Sequence, residues 1–111
     1  DALVKYGDPR YWDTSLIIDM SFLFYNITNK FNYDISLWDT SKVKNMNYMF
    51  GFNNIVIEYD ISNWNVSSVE NMELMFALAS DFNHDISHWN LSSIQSMRYM
   101  FMILWLIKMN S

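Results

Sequence analysis

The chain has 111 residues, of which 51% are hydrophobic and 18% aromatic, and its formal net charge is −5. This composition favours one packed domain, and the presence of only two Gly and one Pro excludes a collagen-like fibre, a flexible linker and a glycine-rich phosphate loop. The seven scattered Lys and Arg residues lack the basic footprint of a nucleic-acid binder, while the absence of cysteine excludes disulfides but leaves the compartment open.

The chain repeats itself with a period of 25 or 26 residues. Its landmarks are four Trp residues and, twelve positions after each, four Phe residues: Trp12, Trp38, Trp64 and Trp89, then Phe24, Phe50, Phe76 and Phe101. Two landmarks that keep one period indicate a repeat architecture, in which each unit buries its apolar face against the next. We therefore predict a single solenoid domain over residues 1–111, with coils at about 5–30, 31–56, 57–81 and 82–111.

Each coil is predicted to contain two short elements. The string Asp-Ile-Ser-x-Trp, which begins at Asp34, Asp60 and Asp85, has the β-branched and aromatic residues of a short strand, and stacked copies would form a parallel ladder. The apolar residues that follow Ser41 are spaced as on one face of a short helix, with Ser41 as its N-cap. The same residues would also suit the inward side of a tightly curved coil. Length differences between coils place an exposed turn after each Phe.

The C-terminal stretch is apolar over Phe101–Ile107 and ends near Met109. It is about half as long as the roughly 20 residues that a membrane-spanning helix needs, so we predict no transmembrane span in this chain. It could cover the last coil, or be the start of an anchor or of a partner-binding tail. Because no polar caps are recognisable, we expect the isolated chain to be poorly soluble and to be a fragment or a small subunit of a larger assembly.

The repeat motif Phe-Asn-x-Asp-Ile-Ser-x-Trp-Asp-x-Ser-x-Val-x-Asn-Met-x-x-Met-Phe resembles the BspA-like leucine-rich-repeat surface proteins, which include the repeats of mycoplasma lipoproteins. The resemblance covers residues 12 to 101 and is broken at Ile57-Glu58-Tyr59 and in the first coil. It implies a leucine-rich-repeat-like solenoid of about four coils, each with a short parallel strand and a short helical or irregular segment. It also implies display on a cell surface, in the extracellular space or on a virion, and it carries over no catalytic residue.

Two repeated positions could bind metals. The carboxylates of Asp34, Asp60 and Asp85 would repel one another if stacked in a column. Either a cation such as calcium lies between them, or each carboxylate accepts hydrogen bonds from N–H groups of a turn. We favour the turn, because calcium-binding β-roll loops need glycines that this chain lacks. The Met-x-x-Met pairs could bind Cu(I), but the first coil has Leu23 at one of these positions, so we interpret them as core. No metal, cofactor or catalytic residue is predicted.

The aromatic column of Trp residues could stack on sugars or form the core, and we favour the core. Positions that vary between coils flank the predicted strand and are the better guide to a binding surface. His84 and His88 belong to this group, because other coils have Tyr or other residues there. The predicted partner-contact residues are Tyr33, Leu37, Tyr59, Asn63, His84, His88 and Trp105.

The repeated positions, taken together, predict a class of function. We expect a non-catalytic protein-interaction or structural module that presents its outward columns to a protein partner, because the chain offers no unique polar constellation that an enzyme would need. The alternative is a carbohydrate- or calcium-binding adhesin module on a cell or virion surface.

Overall fold

The computed structural model describes residues 7–26, 33–52, 60–79 and 85–102. The predictions for Tyr59, His84, Trp105 and the rest of the C-terminal apolar stretch lie outside these ranges. Within them the one helical element is a 3₁₀ helix, Pro9–Tyr11. Asp8 caps it by accepting a hydrogen bond from the Arg10 N–H, and Pro9 occupies a position where no N–H is needed. No helix of the described residues is long and apolar enough to cross a membrane.

Equivalent residues of successive repeats are joined by isolated parallel bridges. These pair Asp19 with Asn45, Asn45 with Asn71, and Asn71 with Ser96. Around each bridge, alternate backbone N–H groups donate to carbonyls of the following repeat. In the first interface Met20 and Phe22 donate to Asn45 and Asn47 at 2.8 and 2.9 Å. The described part of the chain is thus held together by turns bonded to turns.

The predicted leucine-rich-repeat-like solenoid of short strands and helical segments is wrong. The described ranges contain no strand longer than a single bridge, no sheet and no α-helix. The radius of gyration is 13.7 Å, close to the roughly 13 Å expected of a compact globule of about 100 residues. The chain is therefore a compact domain whose described residues have almost no regular secondary structure, although the sequence repeat is plain.

Left-handed backbone explains why neither predicted element forms. Seven non-glycine residues have φ between 54° and 60°. Phe22, Tyr48, Leu74 and Tyr99 lie in the segments expected to be helical, whereas Asn26, Phe52 and Leu78 lie two positions after a Phe of the column, where the sequence predicts a turn. A residue with positive φ interrupts both a right-handed helix and an extended strand. Each begins or closes a tight turn, as where the Leu23 N–H donates to the Met20 carbonyl at 3.3 Å across Phe22. The expected strand is also a turn, because the Trp38 N–H donates to the Ile35 carbonyl at 3.1 Å. Ser41 donates to Asp39 instead of capping a helix.

The core consists of columns of equivalent side chains. Phe24, Phe50, Phe76 and Phe101 stack with ring centroids 5.5 to 5.7 Å apart. The rings of Trp38 and Trp64 lie parallel at 6.3 Å, and each indole N–H donates to a carbonyl of the preceding repeat. Trp38, Trp64 and Trp89 are all buried. The interpretation of the Trp column as core is confirmed.

Methionine fills the rest of this core. Met46, Met49, Met72 and Met75 have no measurable exposure, which confirms that these pairs pack against the stacked rings. Met97 is the exception at 43% exposure, whereas Met100 of the same repeat is 4% exposed.

Candidate interaction surfaces

An aromatic cluster lies on the outer side of the first two repeats. We call Phe22, Tyr25, Tyr48 and Phe52 the aromatic face. Phe22 stacks on Tyr48 with ring centroids 4.6 Å apart, and Tyr48 stacks on Phe52 at 6.2 Å. Tyr25 meets the other three rings edge-on at 5.3 to 5.7 Å. Phe22 is 52% exposed and Tyr25 40%, so the cluster is contiguous yet open to solvent.

Three of the four members occupy left-handed positions. Phe22, Tyr48 and Phe52 have φ values of 60°, 58° and 58°. Glycine would fit such positions without steric cost, whereas a bulky side chain costs roughly 1–2 kcal/mol at each. The turns require the backbone conformation, but they do not require a ring. The backbone strain at these aromatic residues must therefore be offset by other favourable contacts, and stacking between the rings supplies part of that stabilisation.

Sequence reasoning missed the aromatic face. The available signal was the apolar character of Phe22, Tyr48, Leu74 and Tyr99, which occupy one column between the two Met columns. When that segment is interpreted as a helix, nothing distinguishes this column from the other positions of the helix. Tyr99 continues the column beyond Leu74, is 60% exposed, and has the Arg98 guanidinium 6.0 Å from its ring centroid.

The described members of the predicted contact set lie elsewhere. Leu37, Asn63 and His88 directly precede the Trp residues and form an exposed column, with Leu37 exposed to 93%. Tyr33 is half-buried and packs against the core. Leu37 also borders an open depression of about 280 Å³ beside the first repeat, which Arg10 lines as well. Neither Leu37 nor Tyr33 is one of the stacked rings that make up the aromatic face.

The Asp column forms turns. The Asp34, Asp60 and Asp85 carboxylates each accept the backbone N–H of the Ser two positions later, at 2.8 to 3.0 Å. This confirms the turn interpretation for the repeated Asp. Among the residues that the structure covers, no three His, Asp or Glu side chains come together as ligands for a metal ion.

Hydrogen bonds from serine lower the pKa of these carboxyls. The Ser36 hydroxyl, and next its N–H, hold the pKa of Asp34 below its ordinary value. Ser41 acts on the pKa of Asp39 in the same way, whereas in the last repeat the Ser87 N–H is the larger cause of the lowered pKa of Asp85.

The lowered pKa values predict acid sensitivity. The folded state binds fewer protons than the unfolded chain, so this stabilisation is present above the ordinary pKa of about 3.9 and is lost as pH falls through the lower folded values. We expect the urea midpoint to fall between about pH 5 and pH 2. Asp39→Asn is the matched control, because Asn65 accepts the same two bonds from Ser67 in the next repeat. It should unfold with a shallower pH dependence, and an unchanged slope would contradict the assignment.

These features define a repeat-containing domain built from turns, with buried aromatic and methionine columns. The family described as "Mycoplasma protein of unknown function, DUF285" matches residues 4–108, and the chain belongs to this family. No curated protein matches the chain, and no solved structure does.

Proposed function

We propose that this domain is a non-catalytic protein-interaction module and that the aromatic face contacts the partner. The observation that carries the proposal is a contiguous, solvent-open cluster of rings placed on strained backbone. Tyrosine and phenylalanine are enriched in the cores of protein interfaces, where they supply a large contact area at a low entropic cost. Because the repeat motif resembles that of BspA-like surface proteins, we also propose that the domain is displayed at a cell or virion surface.

The ring geometry favours a protein over a carbohydrate. A sugar ring would pack on an exposed aromatic plane, but the planes of Phe22 and Tyr48 lie on each other at 4.6 Å with an interplanar angle of 14°. Tyr48 also stacks on Phe52. Stacking thus covers one face of Phe22 and leaves less open ring plane for a sugar than an isolated ring would offer, whereas ring edges and tyrosine hydroxyls suit apolar and hydrogen-bonding side chains of a peptide or protein.

Tyr48→Gly separates binding from stability. Glycine removes the ring but relieves the left-handed strain, so the free energy of unfolding should change by no more than about 1–2 kcal/mol. We expect peptides rich in apolar residues to be enriched from a phage-displayed random peptide library on the wild-type domain and to be lost on Tyr48→Gly. Thermal melting of both proteins checks that the variant is folded.

Leu37→Ser is the matched control, because Leu37 is more exposed than any ring of the aromatic face but lies in the separate column before Trp38. Retained peptide binding by Leu37→Ser locates the contact at the aromatic face. If Leu37→Ser lost peptide binding and Tyr48→Gly retained it, the result would instead favour the surface around Leu37 that was predicted from the sequence. Binding to a glycan array without peptide enrichment would overturn the proposal in favour of the carbohydrate-binding alternative.

A further inference from the structure

The two ends of the hydrogen-bonded ladder are complementary. At each of the three interfaces between repeats, four N–H groups of one repeat donate to carbonyls of the next, and the last such set runs from Met72, Leu74, Phe76 and Leu78 to the fourth repeat at 2.8 to 3.0 Å. Two further N–H groups donate in the opposite direction, as Gln95 and Ser96 do to the Glu70 carbonyl. In the forward set the donors are alternate residues, and the acceptors in the next repeat alternate with the same spacing. A backbone that continues this ladder must therefore have the same sequence of turns.

In the last described repeat the corresponding donors are the N–H groups of Met97 and Tyr99, and neither has a backbone acceptor among the described residues. In the first repeat the corresponding acceptors are the carbonyls of Asp19, Ser21 and Leu23, and within the same ranges none receives a backbone N–H. For this forward set of bonds, the fourth repeat thus presents donors and the first repeat presents acceptors, at matching positions.

Side chains at the two ends also match. Between the third and fourth repeats the Glu73 carboxylate accepts from the Ser96 hydroxyl at 2.6 Å and lies 3.4 Å from the Arg98 guanidinium. One repeat further on, Arg98 takes the position of Glu73 and Asp19 of a following first repeat takes the position of Ser96. Arg98 is 73% exposed and Asp19 is exposed, so both are accessible for an ion pair.

We propose that copies of this chain associate head to tail, with the fourth repeat of one copy bonded to the first repeat of the next. Met20 and Phe24 are already buried in the first repeat. The contact therefore consists of the backbone edges, the Arg98–Asp19 pair and the partly exposed Met97. A head-to-tail contact uses different surfaces on the two copies, so it produces open chains of increasing length. This association does not use the aromatic face and stands apart from the proposed partner binding.

Sedimentation velocity of the full chain over a range of concentrations tests the proposal. The wild type should form larger species as concentration rises, and salt should weaken them because the pair is exposed. Arg98→Glu and Asp19→Arg should each raise the dissociation constant roughly fivefold or more, because each places like charges in contact. An equimolar mixture of the two variants should recover association, since the Glu at position 98 of one meets the Arg at position 19 of the other.

Lys42→Glu is the matched control, because it makes the same charge change as Arg98→Glu at an exposed site in the second repeat. It should associate like the wild type. Near-ultraviolet circular dichroism of the stacked Trp residues verifies that every variant is folded. If Asp19→Arg is not folded, Asp19→Asn, which keeps the turn acceptor but removes the charge, replaces it and should weaken association, and the mixture is then made with Asp19→Lys. A monomeric wild type at all concentrations, an equal effect of Lys42→Glu, or a mixture that stays dissociated would each overturn the proposal.

Discussion

Phe50→Ala is expected to lower the free energy of unfolding by about 3–5 kcal/mol, the range for removing a buried aromatic ring. Phe50 is fully buried and lies at the centre of the ring columns, between Phe24 at 5.6 Å and Phe76 at 5.7 Å. Its ring also stacks on Trp64 at 6.2 Å. The side chains around it are held by backbone bonds between repeats, so they can collapse only partly into the cavity. Equilibrium unfolding in urea measures the loss.

Phe101→Ala is the comparison for this variant. Phe101 belongs to the same column and stacks on Phe76 at 5.5 Å, but its side chain is 52% exposed. Less area returns to water on truncation, so the loss should be about half that of Phe50→Ala or smaller. Equal losses in the free energy of unfolding for the two variants would mean that Phe50 is not at the buried centre of the column and Phe101 at its exposed end. Because domains of this size are stable by only about 5–15 kcal/mol, Phe50→Ala is expected to remove a large part of the free energy of unfolding.

Trp64→Ala is expected to be the other strongly destabilising change, also by about 3–5 kcal/mol. Trp64 is 4% exposed, lies parallel to the Trp38 ring at 6.3 Å, and donates its indole N–H to the Ile35 carbonyl at 3.0 Å. The substitution removes both the ring and a buried hydrogen bond that joins two repeats. The Ile35 carbonyl keeps the N–H of Trp38 at 3.1 Å, so it is not left unpaired.

Trp64→Phe separates the two contributions. It keeps an aromatic ring in the column but loses the indole donor and part of the ring volume, and should cost about 1–2 kcal/mol. Thermal and urea unfolding of both variants give the difference, which reports what the ring contributes. If Trp64→Phe were as damaging as Trp64→Ala, the donated hydrogen bond and not the stacking would dominate this column.

The repeated positions show how far the sequence predicted the structure. The period of 25 or 26 residues identified the Trp, Met and Phe columns, and these are the core. The repeated Asp was correctly assigned to turns, since a carboxylate followed two positions later by Ser makes a local hydrogen bond. Both inferences depend on information within one repeat, or on comparing repeats with each other.

The backbone of the segment from Val43 to Phe50 could not be predicted in this way. Its apolar spacing is typical of a helix, and nothing local indicates that Tyr48 has a positive φ. That conformation is stabilised by bonds to another repeat, such as the one from the Tyr48 N–H to the Glu73 carbonyl at 3.0 Å. Two residues of the same column as Tyr48 that also have positive φ, Phe22 and Tyr99, are exposed to 52% and 60%.

Sequence alone therefore determined that this chain is a repeat protein and which side chains form its interior, because burial of identical apolar residues recurs with the period. Only the tertiary structure decided that the described parts of the repeats are made of turns, where the exposed rings lie, and that these parts lack the predicted strands and helical segments. Hydrogen bonds between repeats stabilise left-handed backbone at residues whose own preferences oppose it, and such bonds join positions 24 or 25 residues apart.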